Sequence, residues 1–280
     1  MRALFLIPGD GLSQLQAFPA VAATAEGLGF AIQVACPPAQ AAIWRLLPAV
    51  EKVIPFAFGE GSLADWANLL GSVREPDFQV AVNLAPSRQM DLMLSMSHIP
   101  TRIASAGFSA TETVAPSSGG WPAQALEAYL RPIGVTLRAA DFRLRLPAAA
   151  MAAATAALPP GDGPMLLLAP SGGPADWPEQ RWQELPERIR TRLASLRSRV
   201  VVPASPALCV QRAAEVAACD VVLSSDPIST ELALLCGLPV VALGRSQASL
   251  PDRQGVKGLE IPSGLADLSL DTVLQALGLA

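Results

Sequence analysis

Apolar and polar positions follow two alternating patterns along this chain. Predominantly apolar runs at 3–7, 31–35, 53–56 and 79–84 have the length and side-chain types of buried strands. Between them, residues near 14–26, 39–47, 62–74 and 87–97 space their apolar side chains at helical intervals. Strand and helix in steady succession predict an α/β fold whose parallel sheet is joined by crossover helices. Ser62 followed by Asp65 predicts a capping box at the start of the third helix, and Pro48 ends the second. Residues 107–120 read as a polar loop before another helix at 122–131.

Between Leu146 and Pro164 the composition shifts to an alanine-rich helical stretch and a Pro/Gly turn, which predicts a boundary between domains at 1–146 and 147–280. A second alternating set follows. Strands are expected at 165–169, 199–202, 220–223 and 240–243, with helices at 177–196, 206–218 and 229–236. The last helix, near 269–277, is expected to cross back to the first domain. Two Rossmann-like domains with parallel sheets bind ligands beyond the carboxyl ends of their strands, so the loops there are the places to look for chemistry.

The bulk properties narrow the function classes. Of 280 residues half are apolar, yet no apolar run approaches the roughly 20 residues of a membrane helix. Lys+Arg 20 against Asp+Glu 24 gives a net charge of −4, so the basic footprint of a nucleic-acid binder is missing. The opening apolar run is about five residues, short of the about 7–15 in a secretory signal, and a cytoplasmic location is expected. Cys36, Cys209, Cys219 and Cys236 form no CxxC pair, so neither a metal site nor a disulfide framework is expected. No cofactor is expected either: a dinucleotide fingerprint after the first strand has Gly9 and Gly11 but Gln14 in the third glycine's place.

Two blocks carry the most specific pattern. SSDPISTELALLCGLPVVALG at 224–244 reads as the end of a strand, a small polar loop, a short helix and a second buried strand, and PADWPEQRWQEL at 174–185 brackets a helix start. Both blocks resemble the ADP-heptose:lipopolysaccharide heptosyltransferases of glycosyltransferase family nine, as do SLADWANLLGSVRE and VEKVIPF in the first half. The resemblance implies a glycosyltransferase-B architecture with a cleft between two domains. It also implies transfer of a sugar from a nucleotide-diphosphate donor, an ADP-sugar among the candidates, to a glycan or lipid-linked acceptor, with peripheral contact to the inner membrane surface.

Matched position by position, Asp226 is retained from the family's Asp-x-x-x-x-His pattern and Glu231 stands where the histidine would be. Ala175 stands for the phosphate-side lysine. The family's base falls on Ser13, with Asp10 the nearby carboxylate. The donor-side candidates are Ser171, Trp177, Ser224, Ser225, Asp226, Ser229, Thr230, Glu231 and Arg245. Each has a structural alternative: Asp10 can bond its own turn, Trp177 and Trp182 can anchor a helix, Ser229 can cap one and Arg245 can be a solvated surface residue. A strand and helix present in relatives between the Trp-Pro helix and the 206–218 helix have no room here. His98 and the helically spaced Met90, Met93 and Met96 read as structural. Two functions follow: a nucleotide-sugar transferase, or a non-catalytic binding module on the same fold.

Overall fold

The computed structural model describes residues 1–203 and 205–279. The chain divides into two compact units, Met1–Ala139 and Ala140–Ala280.

In the first unit six parallel strands run in the order β3-β2-β1-β4-β5-β6. They are β1 (Arg2–Leu6), β2 (Ala31–Cys36), β3 (Val50–Pro55), β4 (Phe78–Asn83), β5 (Thr101–Ala104) and the two-residue β6 (Glu112–Thr113). The 107–120 stretch is therefore not all loop: β6 pairs with β5 at Ile103 and Ala104. Helices α1 (Gly11–Leu28), α2 (Leu63–Arg74) and α3 (Arg88–Met96) form crossovers, while the second expected helix is a 3-10 segment over Pro38–Leu46. The capping box is present, with Ser62 N donating to Asp65 Oδ2 at 2.8 Å and Asp65 N to Ser62 Oγ at 3.3 Å. Two short helices, α4 (Pro122–Ala125) and α5 (Glu127–Leu130), close the unit. Met90 and Met93 are buried in a core with Leu4, Leu6 and Phe56.

Gln14 explains why the glycine fingerprint fails. Its side chain is fully buried; Nε2 donates to the carbonyls of Ile7 and Pro8 at 3.1 Å each, and Oε1 accepts from Trp44 Nε1 at 3.1 Å. A long side chain thus occupies the place where the third glycine of such a fingerprint would let helix and strand pack closely.

The second unit opens with the alanine helix α6 (Ala148–Ala156). Its five parallel strands run β11-β10-β9-β7-β8, with β7 (Met165–Ala169), β8 (Arg197–Val200), β9 (Val221–Ser224), β10 (Val240–Leu243) and β11 (Val256–Leu259). Helices α7 (Glu179–Arg190), α8 (Cys209–Ala217) and α9 (Pro227–Cys236) link them. β8 lies two residues earlier than its apolar run suggests, because Arg197 and Arg199 pair in register with Met165 and Leu167, Val200 ends the strand opposite Leu168, and only Val201 and Val202 follow it. The final helix α10 (Leu270–Ala276) does not leave its unit: Val273 and Leu274 are buried with Leu185 and Ile189 of α7. Burial raises all four thiols, Cys36 and Cys236 to about 12, and Cys209 and Cys219 to about 11, so none is an activated nucleophile. Among the described residues no helix is long and apolar enough to cross a membrane.

Candidate functional site

The carboxyl ends of β7, β9 and β10 in the second unit converge on a cleft of about 280 Å³. That is near the lower bound of roughly 300 Å³ for small-molecule pockets. Its walls include Ser171, Asp176, Ser225, Thr230 and Arg245, with Ala175 at the phosphate-side lysine's place. The backbone reaches these positions through turns that favour glycine: Gly172 after β7 has φ 72° and Gly244 after β10 has φ 76°.

Short side chains tie the loop to the sheet beneath it. Asp226 caps α9, its Oδ2 accepting from Ser229 N at 2.9 Å and from Ser229 Oγ at 2.6 Å, and Pro227 takes the first helical position. Ser224 Oγ donates to the carbonyls of Ala169 and Asp226, at 3.2 and 2.9 Å. Ser225 Oγ accepts from Ser171 N at 2.9 Å, so the ends of β7 and β9 are stitched together at the cleft floor.

Four of the expected donor residues line this cleft: Ser171, Ser225, Thr230 and Arg245. The others lie behind it. Asp226, Ser224 and Ser229 are buried in the cap. Glu231 is fully buried and its side chain does not line the cleft. Trp177 is in the core: its ring meets Trp182 edge-on at 5.2 Å and 83°, and Nε1 donates to the Leu268 carbonyl at 2.8 Å. That contact anchors the start of α7, with a gain of about 1 kcal/mol beyond simple burial for such an aromatic pair.

The cleft's charges are few. Arg245 is held by Ser249, Nη2 donating to its carbonyl at 3.0 Å and Nε to its hydroxyl at 3.3 Å. Asp176 accepts from Gly172 N at 2.9 Å and Trp177 N at 2.7 Å, which fixes a carboxylate on the opposite wall. One fixed guanidinium, three small hydroxyls and one carboxylate make a site able to orient a single anionic group.

In the first unit Asp10 and Ser13 are one cap. Asp10 Oδ1 accepts from both Ser13 N and Ser13 Oγ at 3.0 Å, at the start of α1. His98 lies with its Nε2 3.0 Å from Arg74 Nη2, and adopts φ 64° at the end of α3.

No family profile and no curated protein matches the sequence. Solved structures do match its fold. A glycosyl transferase of family 9 from Veillonella parvula superposes with a TM-score of 0.75 at 14% identity, over 99% of this chain and 96% of that one. The fold is that of the glycosyltransferase-B enzymes. The ADP-heptose LPS heptosyltransferase II of E. coli gives a TM-score of 0.72 at 18% identity, over 99% of this chain and 98% of that one. The E. coli heptosyltransferase WaaC with ADP gives 0.72 at 14%, over 99% of each chain. Both parallel sheets with their flanking helices thus have counterparts in glycosyltransferases.

One buried residue that supports the cap behind the cleft escaped the sequence reading. Arg212 is buried on α8, where Nη1 donates to Ser229 Oγ at 2.9 Å, Nη2 to the Val202 carbonyl at 2.6 Å and Nε to Glu215 at 3.1 Å. Glu215 also receives Arg199 Nη2 at 3.1 Å. The signal was an arginine and a glutamate three apart on the apolar side of a helix, between Cys209, Ala213 and Val216.

Proposed function

We propose that the protein is a nucleotide-sugar-dependent glycosyltransferase related to the heptosyltransferases, with its donor in the cleft of the second unit and a glycan or lipid-linked acceptor. The observation that carries this reading is the convergence of Ser171, Ser225, Thr230 and Arg245 at the carboxyl ends of β7, β9 and β10, on a fold shared with an ADP-bound heptosyltransferase. In-line displacement needs positive charge for the leaving diphosphate, and Arg245 supplies it. Under this reading the protein works in the cytoplasm, at the inner membrane surface when its acceptor is lipid-linked.

A second reading, a binding module without turnover, is favoured by the state of Asp10. A general base must reach the acceptor hydroxyl, and the Asp10 carboxylate instead receives both donors of Ser13.

Calorimetry with ADP and an ADP-sugar tests the first reading. Binding is expected to weaken about tenfold or more in Arg245→Ala, in keeping with roughly 1.5–3 kcal/mol for a charged hydrogen bond. Absence of heat with any nucleoside diphosphate would overturn it. Binding without sugar release to acceptor or water would decide for the second.

A further inference from the structure

β8 is the edge of the second sheet, and the two units differ there. In the first unit the corresponding strand, β2, lies between β1 and β3; in the second, β8 pairs with β7 alone. Arg197 N and Val201 N donate to Pro164 and Leu168 on the β7 side, at 3.0 and 2.9 Å. By the alternation of strand backbone, the N–H and C=O groups of Ser198 and Val200 therefore face outward. No strand among the described residues meets them.

Exposed edges are commonly blunted by charge or proline. The three other edges of the two sheets follow that rule: β3 exposes Glu51, Lys52 and Pro55, β6 exposes Glu112 and β11 exposes Lys257. β8 departs from it. Val200 is 59% exposed and Val202 just beyond it 75%, with Leu208 nearby at 57%. Its two arginines are turned to their own unit, Arg197 to the carbonyls of Gly163 and Pro159 and Arg199 to Glu215.

A groove of about 290 Å³ lies against this edge, walled by Val200, Val202 and Leu208 and by Arg199, Arg212 and Glu215. One carboxylate there answers two guanidinium groups. Nη1 of Arg199 is buried with no hydrogen-bond partner among the described residues. The fixed charge of the groove is therefore positive within apolar walls.

We propose that the free edge of β8 docks an extended segment of a partner protein as a sixth strand, its apolar side chains over Val200, Val202 and Leu208 and an acidic side chain beside Arg199. The main chain of such a segment bonds Ser198 and Val200, and the carboxylate gives selectivity. A second copy of this chain fits the charge poorly, since its own β8 brings Arg197 and Arg199 and no carboxylate.

The probe is a labelled hexapeptide of alternating valine and threonine with a central glutamate, capped at both ends, and its counterpart with lysine there. Anisotropy titration of the full chain should show at least tenfold tighter binding of the glutamate peptide. Hydrogen exchange at Ser198 and Val200 should slow on addition of that peptide. Arg199→Met should erase the difference between peptides, and Val200→Lys with Val202→Lys, at two exposed positions, should abolish binding while circular dichroism and thermal melting report an unchanged fold. Equal or absent binding of the two peptides would overturn the proposal. So would slowed exchange at Ser198 and Val200 that grows with protein concentration alone, which would mark the edge as a contact between copies of this chain.

Discussion

Gln14 and Arg212 are buried polar residues whose side chains each bind several groups from separate parts of the chain, and in both cases burial is made affordable by complete pairing of the atoms that matter. Arg212 joins α8 to the cap of α9, so its loss would leave Ser229 bonded to Asp226 alone and Glu215 with Arg199 as its remaining guanidinium partner. Arg212→Met is expected to destabilise the second unit by about 2–3 kcal/mol, and Ser229→Ala by about 1 kcal/mol. Chemical denaturation followed by tryptophan fluorescence would check both, since Trp177 and Trp182 are buried in that unit. Equal effects of the two variants would mean that Arg212 acts through Ser229, with Val202 and Glu215 adding nothing. This scale was the least legible in the sequence. The types and spacing of Ser224 to Glu231 marked out the loop that borders the cleft, but which residues face it depends on a helix phase that puts Thr230 on the wall and Glu231 inside.

At the scale of elements, periodicity found most strands and helices, and β7 and β10 have the predicted bounds. Outside its apolar runs lay the short strands β5, β6 and β11, whose four, two and four residues carry too few apolar positions to show a period. Caps were read well because their chemistry is local. Ser62 and Asp65 hold the start of α2, and hydrogen bonds from the Ser62 hydroxyl and backbone N–H keep the Asp65 carboxyl below its ordinary range. A lowered carboxyl contributes stability above its unfolded value, and that contribution disappears as pH falls through the lowered one. The first turn of α2 is therefore expected to exchange its amides faster as pH drops below about 4, after correction for intrinsic rates. Ser62→Ala should weaken this pH dependence to the part carried by the residue 62 backbone N–H and lower Tm by about 2–4 °C. Native-state exchange read by NMR would show it, and a first turn equally protected at pH 3 and pH 6 would refute it.

For the whole molecule, the two sets of alternating elements were enough to anticipate two parallel α/β sheets, because crossover connections admit few other arrangements. The tail was less legible. An amphipathic helix at the end of a chain advertises a buried face without saying which sheet it covers, and only the packing of Val273 and Leu274 against α7 settles that α10 stays with its own unit. Each unit is consequently one unbroken stretch of chain, and this bears on how the protein is made. Residues 1–139 can leave the ribosome with every strand of their sheet present, and complete their non-local pairings before β7 is synthesised. Parallel pairings of this kind form slowly and expose apolar edges while they wait. A head start for the first half removes one set of competing strands from the second. Translation arrested after the first unit should therefore yield a protease-resistant nascent chain, whereas arrest after β9 should add only susceptible sequence until β10 and β11 emerge.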